Sequence, residues 1–147
     1  MKQQTIKAVL SEGGDVQEAD YRLYLVREGE TVFYVGQAVN TYNRLLTHLG
    51  LGGRSTPSAI GQLILENVPV SDAWLFEEYT LEEGEAFVTA YRATLPQQMQ
   101  AFYRENGSGY DVDLAEDAMI KLYRPCLNTA LNPDPTPLPE QYQRWPD

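Results

Sequence analysis

The hydrophobic and polar positions of the chain first predict a β-hairpin over residues 21–36. Two short runs rich in aromatic and β-branched residues are joined there by a polar connection that contains Gly29. A loop of three or five residues centred on Gly29 would pair Tyr24 with Tyr34 and put both phenols on one face of the sheet. A loop with an even number of residues would shift the register and remove that inference.

A helix is expected directly after the hairpin. Asn40 is a good N-cap, and apolar positions that begin at Tyr42 recur with helical spacing up to Leu49. Arg44 and His48 are four residues apart beside this apolar stripe. Residues with that spacing are neighbours on a helix surface, so both side chains can reach a common point above the sheet edge.

The middle of the chain, residues 51–112, predicts an elaborated third strand with additional helices. The pattern gives a helix over about 58–67, a third strand over about 73–79, and helices over about 82–94 and 97–105. Between Ser55 and Tyr91 there is no Lys or Arg, and several acidic residues are present. The simpler interpretation of this acidic run is a solvated face. The alternative is a surface that repels DNA or meets a basic partner.

The last helix is expected to start with Asp113 as its N-cap and to run to about Tyr123, before Pro125. On its helical wheel, Glu116 falls away from the polar side. A carboxylate on an apolar face is costly unless it is paired or binds a metal. The alternative is a glutamate at the boundary of that face, from which it reaches solvent.

The whole pattern predicts an α+β fold with a small three-stranded antiparallel sheet flanked by helices. A chain of 147 residues has room for one domain. We expect a flexible lead-in over residues 1–20, a single domain over 21–131 and a proline-rich tail over 132–147. The tail would be either an extended arm or a disordered end.

Composition narrows the functional classes. The chain has 11 basic and 21 acidic residues, a net charge of −10, which argues against nucleic-acid binding by bulk charge alone. A single cysteine, Cys126, and a single histidine exclude an internal disulfide, paired-cysteine zinc sites and His-rich metal centres. No apolar run approaches the roughly 18 residues that a membrane span needs, and the N-terminus lacks a secretory signal pattern. A cytoplasmic protein with no membrane partner is therefore expected.

Two separated blocks of the sequence resemble the GIY-YIG nuclease family. The first block contains Leu23-Tyr24 and, after the connection, Tyr34-Val35-Gly36, followed by Arg44 and His48. The second block runs from Glu116 to Lys121 and continues with Pro125 and Asn128. This second block is most similar to the nuclease domain of the bacterial excision-repair incision protein. The stretch between the blocks looks longer than in a minimal family core, which suggests an enlarged helical middle segment.

The resemblance implies a metal-dependent DNA endonuclease that hydrolyses phosphodiester bonds at one Mg²⁺ or Mn²⁺ ion. Phosphodiester hydrolysis needs an activated water and stabilisation of the phosphoryl oxygens. In the implied site Glu116 is the metal ligand and Arg44 the phosphate clamp. Tyr24 and Tyr34 line the site, one of them acting as or orienting the general base, and His48 helps in proton transfer or phosphate orientation. The expected supporting residues are Asn128, Gly36, Gln37, Asn40 and Arg22; the turn from strand to helix alone explains a glycine at Gly36. A tyrosine titrates near pH 10, so it becomes a base only if a nearby cation or imidazole lowers its pKa.

Two positions depart from the family pattern. Gln37 stands where many members carry a lysine, and Arg22 stands where a glycine is expected before the first tyrosine. These departures leave open a catalytically poor member that acts as a binding or regulatory module. An unrelated α/β interaction domain is a third possibility.

The implied partner is DNA, and the net negative charge of the chain predicts that it binds DNA weakly. We expect a small basic patch around the site on an acidic body. Six basic residues lie in or near the motif blocks: Arg22, Arg27, Arg44, Arg54, Lys121 and Arg124. Binding would then be salt-sensitive or depend on a targeting partner or on dimerisation, and the oligomeric state stays open.

Overall fold

The computed structural model describes residues 1–13, 20–51, 56–106 and 111–142, and shows a four-stranded antiparallel sheet with helices on both faces. The strands are β1 (Lys2–Thr5), β2 (Tyr21–Glu28), β3 (Thr31–Gln37) and β4 (Leu75–Thr80), in the spatial order β1-β4-β2-β3. The helices in these residues are α1 (Ile6–Glu12), α2 (Thr41–His48), α3 (Ala59–Glu66), α4 (Leu81–Arg92), α5 (Gln97–Asn106) and α6 (Val112–Tyr123). The α+β class is confirmed. Among the described helices, none combines the length and apolar character that crossing a membrane requires.

The three-stranded sheet and the flexible lead-in are wrong, and for the same reason. Residues 2–5 form β1, which pairs with β4 and adds a fourth strand at the sheet edge. Thr5 then caps α1 by accepting a hydrogen bond from the backbone of Ala8. Ile6 and Val9 of this helix are buried in the core. Two apolar side chains are too weak a pattern to reveal this helix by periodicity, and residues 14–19 lie outside the described part.

The hairpin register differs from the expected one. The connection is a two-residue turn that starts at Gly29, whose φ of 55° suits glycine. Tyr24 consequently lies opposite Gly36 and not opposite Tyr34. An even turn alone would have placed the two tyrosines on opposite faces. However, Phe33 is an extra residue on β3, and this bulge shifts the register by one. Both phenols therefore point to the same face after all.

The alternation of side chains along the strands builds two cores, one on each face of the sheet. The face covered by α1, α2 and α3 buries the larger rings, and we call it the tyrosine face; its buried members include Tyr24, Phe33, Leu45, Ile60, Trp74 and Phe76. The opposite face is covered by α4 and α6 and buries Leu23, Leu25, Val35, Val88, Ala115 and Met119. The middle segment is therefore divided, with α3 over the tyrosine face and α4 over the other.

The proline-rich tail is an extended arm over the residues that the structure describes. The Tyr142 hydroxyl donates to the Glu28 carboxylate at 2.9 Å, and Trp74 Nε1 donates to the same carboxylate at 2.9 Å. The Thr136 amide also donates to the carbonyl of Arg124. The Tyr142 bond holds the tail against the hairpin, the Thr136 bond holds it against the end of α6, and Tyr142 joins the tyrosine-face core.

We expect Ile6→Ala to lower the free energy of unfolding by about 2–5 kcal/mol, because it leaves a cavity in this core. Lys7→Ala, on the exposed side of the same helix, is the matched control and should change it by less than about 0.5 kcal/mol. Denaturant unfolding followed by circular dichroism measures both. Equal stability of the two variants would mean that α1 is not part of the core.

Candidate active site

A chain of hydrogen bonds joins the buried end of Tyr24 to helices α2 and α3. The Tyr24 hydroxyl lies 2.7 Å from His48 Nε2, and His48 Nδ1 lies 2.6 Å from Ser58 Oγ. Ser58 is also the N-cap of α3, where its oxygen accepts the Gly61 amide. The last residue of α2 is therefore fixed between a strand and the start of the next helix.

Tyr34 completes an aromatic cluster with these two rings. Its ring centroid is 6.1 Å from that of Tyr24 and 5.2 Å from that of His48. The two hydroxyl groups also influence each other's pKa. Tyr24 is 2% exposed, whereas Tyr34 is only half-buried. Tyr34 therefore presents the accessible end of the cluster.

Two glycines allow this cluster to pack. A Cβ at Gly36 would lie 2.5 Å from Tyr24 Cζ, so the phenol ring occupies the space of a side chain. A Cβ at Gly61 would lie 2.5 Å from the carbonyl carbon of His48. The expectation that Gly36 serves the turn from strand to helix is thus wrong. Gly36 lies within β3, and a glycine is needed there because the Tyr24 ring packs against it. Gly61 and Ser58 were not expected to contribute to the site.

Burial keeps all three rings neutral near pH 7. It raises the pKa of Tyr24 well above its usual value and also raises the pKa of Tyr34. The Arg44 guanidinium lowers the pKa of both phenols, as expected, but its effect is smaller than that of burial. Burial, and then Arg44, lower the pKa of His48 from 6.5 to about 4. Neither phenol is consequently a preformed phenolate.

Glu116 lies close enough to this cluster to raise the pKa of both tyrosines. Burial raises the pKa of Glu116 itself, a hydrogen bond from Gln37 opposes that change, and Asp113 adds to it. The carboxylate is half-buried on α6, which packs against β3. Glu116 is therefore not simply solvated, and its charge acts on both phenols.

Gln37 links the end of β3 to the start of α6. Its Nε2 donates to Asp113 Oδ1 at 2.6 Å, and its amide also lowers the pKa of Glu116. The expected N-cap of α6 was wrong: Asp111 is the cap and accepts the Leu114 amide at 2.9 Å. Asp113 is thus free to take the amide at the position where a lysine was expected.

Two arginines stand near the cluster without an ion pair in the described residues. Arg44 is exposed on α2. Arg22 Nε is buried and finds no hydrogen-bond partner there. The carbonyl of Arg22 accepts the Ala38 amide, which places its backbone at the β3 end beside Gln37. A buried guanidinium N–H without a partner suits an anionic ligand.

Asn128 and Asn40 hold the backbone on either side of the phenols. Asn128 accepts the Val35 amide and donates to the Val35 carbonyl, both at 2.9 Å. It thus pairs with β3 between Tyr34 and Gly36 as a neighbouring strand would. Asn40 is the N-cap of α2, as expected, since its side chain accepts the Asn43 amide.

The acidic run is not simply a solvated face. Glu77 and Glu78 are 2% and 6% exposed. Glu78 lies opposite Tyr24 on the neighbouring strand and accepts a hydrogen bond from the Thr41 hydroxyl at the start of α2. Glu77 accepts hydrogen bonds from the Gln3 side-chain amide and from the Tyr79 hydroxyl. Composition alone hides such burial, because it depends on partners that are distant in sequence.

The residues around Glu116 fit one hard divalent cation. Among the described residues, no group of three or more His, Cys, Asp or Glu side chains forms a multidentate metal site. Glu116 is instead a single desolvated carboxylate whose pKa is raised by burial and, despite Gln37, by Asp113 and Asp117. Such a carboxylate suits Mg²⁺, which binds one or two carboxylates and keeps several of its waters.

Comparison with family models, with curated proteins and with solved structures finds no match for this chain.

We expect His48 to stay neutral down to about pH 4 in the folded protein, because burial disfavours the imidazolium. The unfolded chain takes up that proton near pH 6.5, so this residue's contribution to stability falls as the pH drops from 6.5 to about 4. The loss amounts to about 3 kcal/mol, at roughly 1.4 kcal/mol per pKa unit. As the one histidine of the chain, His48 gives a single imidazole titration in NMR spectra. A midpoint near 6.5 would contradict the buried hydrogen-bond chain.

Proposed function

We propose that this chain is a metal-dependent DNA endonuclease of the GIY-YIG type. The observation that supports the proposal is that Arg44 of α2 and Glu116 of α6 act electrostatically on the phenols of β2 and β3, one of which hydrogen-bonds His48. These groups can supply the charge stabilisation, the metal ligand and the proton transfer that phosphodiester hydrolysis at one metal ion uses. A cytoplasmic location belongs to the same proposal.

The neutral rings favour a proton relay in place of a resting phenolate. Tyr34 is the accessible phenol, so its oxygen takes a proton from the attacking water. Its own proton then passes to Tyr24, whose ring centroid lies 6.1 Å from that of Tyr34. The Tyr24 proton in turn passes to His48 Nε2, 2.7 Å away. In this direction His48 donates from Nδ1 to Ser58 Oγ, which orients the imidazole.

Charge stabilisation comes from the groups around the relay. Arg44 binds the phosphate through its planar fork, which lysine does not reproduce. Arg22 supplies a second guanidinium at the same edge of the sheet. Glu116 would hold the Mg²⁺ or Mn²⁺ ion, which supplies Lewis-acid stabilisation of the phosphoryl oxygens and of the leaving group. Gln37 and Asn128 position Glu116 and β3, respectively.

Binding to DNA is expected to be weak. Three of the six basic residues near the motifs form ion pairs: Arg27 with Glu77, Lys121 with Asp117, and Arg124 with Asp134. Arg54 lies outside the described residues. The basic patch is therefore smaller than the composition suggested. A targeting partner or dimerisation would compensate for it.

One observation favours the second candidate, a catalytically poor binding module. The Gln37 amide donates to Asp113 and lowers the pKa of Glu116 without adding a positive charge. In such a module the relay would be a packing feature and the protein would bind nucleic acid or protein without turnover.

We expect wild type to nick supercoiled plasmid in Mn²⁺ or Mg²⁺, and Glu116→Gln and Tyr34→Phe to lose about a hundredfold or more in rate. Arg44→Lys keeps the charge but loses the bidentate fork, so it should also lose tenfold or more. Lys7→Ala is the control and should cleave as wild type does.

Two results would count against the nuclease. Equal nicking by all variants would mean a contaminating enzyme. No nicking by wild type, with Mn²⁺ bound in a separate titration, would favour the binding module.

A further inference from the structure

A cavity of about 260 Å³ with two arginines in its lining lies between α4 and α5. It is lined by Thr89, Arg92, Ala93, Gln100, Tyr103 and Arg104. None of these residues belongs to the candidate active site. Of the two helices that form the cavity, α4 covers the sheet face opposite the tyrosine face.

The cavity is held open by contacts within the helix pair. Gln100 Nε2 donates to the Leu95 carbonyl at 2.7 Å and to the Ala93 carbonyl at 3.3 Å, which fixes the turn between the helices. The Arg92 guanidinium carbon lies 4.1 Å from the centre of the Tyr103 ring. Stacking on an aromatic ring holds a guanidinium in one plane and leaves its edge N–H groups available.

Both arginines lack a carboxylate partner in the described part of the chain. Neither Arg92 nor Arg104 forms an ion pair there, although Arg27, Lys121 and Arg124 each do. In a chain with a net charge of −10, acidic side chains are abundant. Two neighbouring guanidinium groups that remain unpaired therefore favour an external anion.

We propose that this cavity binds a backbone phosphate of a nucleic-acid strand. The proposal rests on the proposed function and adds a contact that positions the strand. Gly84 of α4 packs against Ala115, the neighbour of Glu116. Arg92 lies eight residues further along the same helix, or about 12 Å at 1.5 Å per residue. At roughly 3.4 Å per nucleotide, this corresponds to a phosphate a few nucleotides from the one at Glu116. Such a contact sets register and orientation without reading sequence.

The test is a binding titration without divalent ions, so it is independent of catalysis. Fluorescence anisotropy of a labelled 20-nucleotide DNA, single-stranded and as a duplex, measures affinity over a range of salt. We expect the double variant Arg92→Ala/Arg104→Ala to bind at least fivefold more weakly, with a salt slope reduced by about 1–2. The double lysine variant keeps the charges, should recover part of the affinity, and guards against a folding defect.

The double variant Lys2→Ala/Lys7→Ala is the matched charge control, because it removes two positive charges, on β1 and α1, from residues outside the cavity. If it weakens binding as much as the cavity variant, the effect is net charge alone and the proposal is overturned. Absence of DNA binding by wild type also overturns it. So does a cavity-dependent affinity for a polyglutamate peptide that exceeds the affinity for DNA, which would indicate an acidic protein partner.

Hydrolysis of bis(p-nitrophenyl) phosphate with Mn²⁺ separates this proposal from the nuclease. This small phosphodiester has no neighbouring phosphate, so the cavity variant should hydrolyse it at the wild-type rate while Glu116→Gln loses activity. Equal rates for wild type and Glu116→Gln would contradict the nuclease proposal. The anisotropy titration would still test whether the cavity binds a DNA phosphate. A cavity variant that loses small-substrate hydrolysis in parallel with its DNA binding would contradict a remote phosphate contact.

Discussion

The buried hydroxyl of Tyr24 and its hydrogen bond to His48 are the contact on which the rest of the site depends. A phenol that is 2% exposed needs a polar partner, and the imidazole at the end of α2 provides it. This bond sets where α2 ends on the sheet. Arg44, one turn earlier on the same helix, is positioned as a consequence. The absence of a side chain at Gly36 makes room for the ring, so the strand opposite is part of the same constraint.

The same burial that fixes the cluster determines its chemistry. Removing the rings from water raises the pKa of the tyrosines and lowers the pKa of His48, so no resting charge is stored within the cluster. The charged groups that act on the cluster are Arg44, exposed on α2, and Glu116, half-buried on α6. The proposed relay would end with a transient imidazolium at His48, the ion that this same burial disfavours.

The sequence predicted the elements that strong local signals specify. Asn40 and Ser58 mark helix starts, and the aromatic runs of the hairpin mark β2 and β3. It missed β1 and α1, since their evidence is pairing with β4 and two buried side chains. The shared face of Tyr24 and Tyr34 was expected for the wrong reason, because the bulge at Phe33 offsets an even turn.

Site chemistry followed the same division between local and long-range information. Glu116 was singled out by its place on an apolar helix face, and Arg44 by its spacing from His48. Gly61, Asp113 and Glu78 were missed because each acts through a residue distant in the chain. A backbone contact, an amide hydrogen bond or a buried hydroxyl does not change the periodic pattern of hydrophobic residues, so that pattern cannot predict it. The family resemblance supplied roles that residue patterns alone do not give.

The central claim is that the tyrosine–histidine cluster and Glu116 face one divalent cation. The most direct measurement is NMR of the single imidazole during a substoichiometric Mn²⁺ titration, because this paramagnetic ion broadens nearby resonances. The account predicts that the His48 signals broaden in wild type, recover on addition of excess Mg²⁺, and stay sharp in Glu116→Gln. Equal broadening in that variant, or sharp signals in wild type with Mn²⁺ bound, would contradict it.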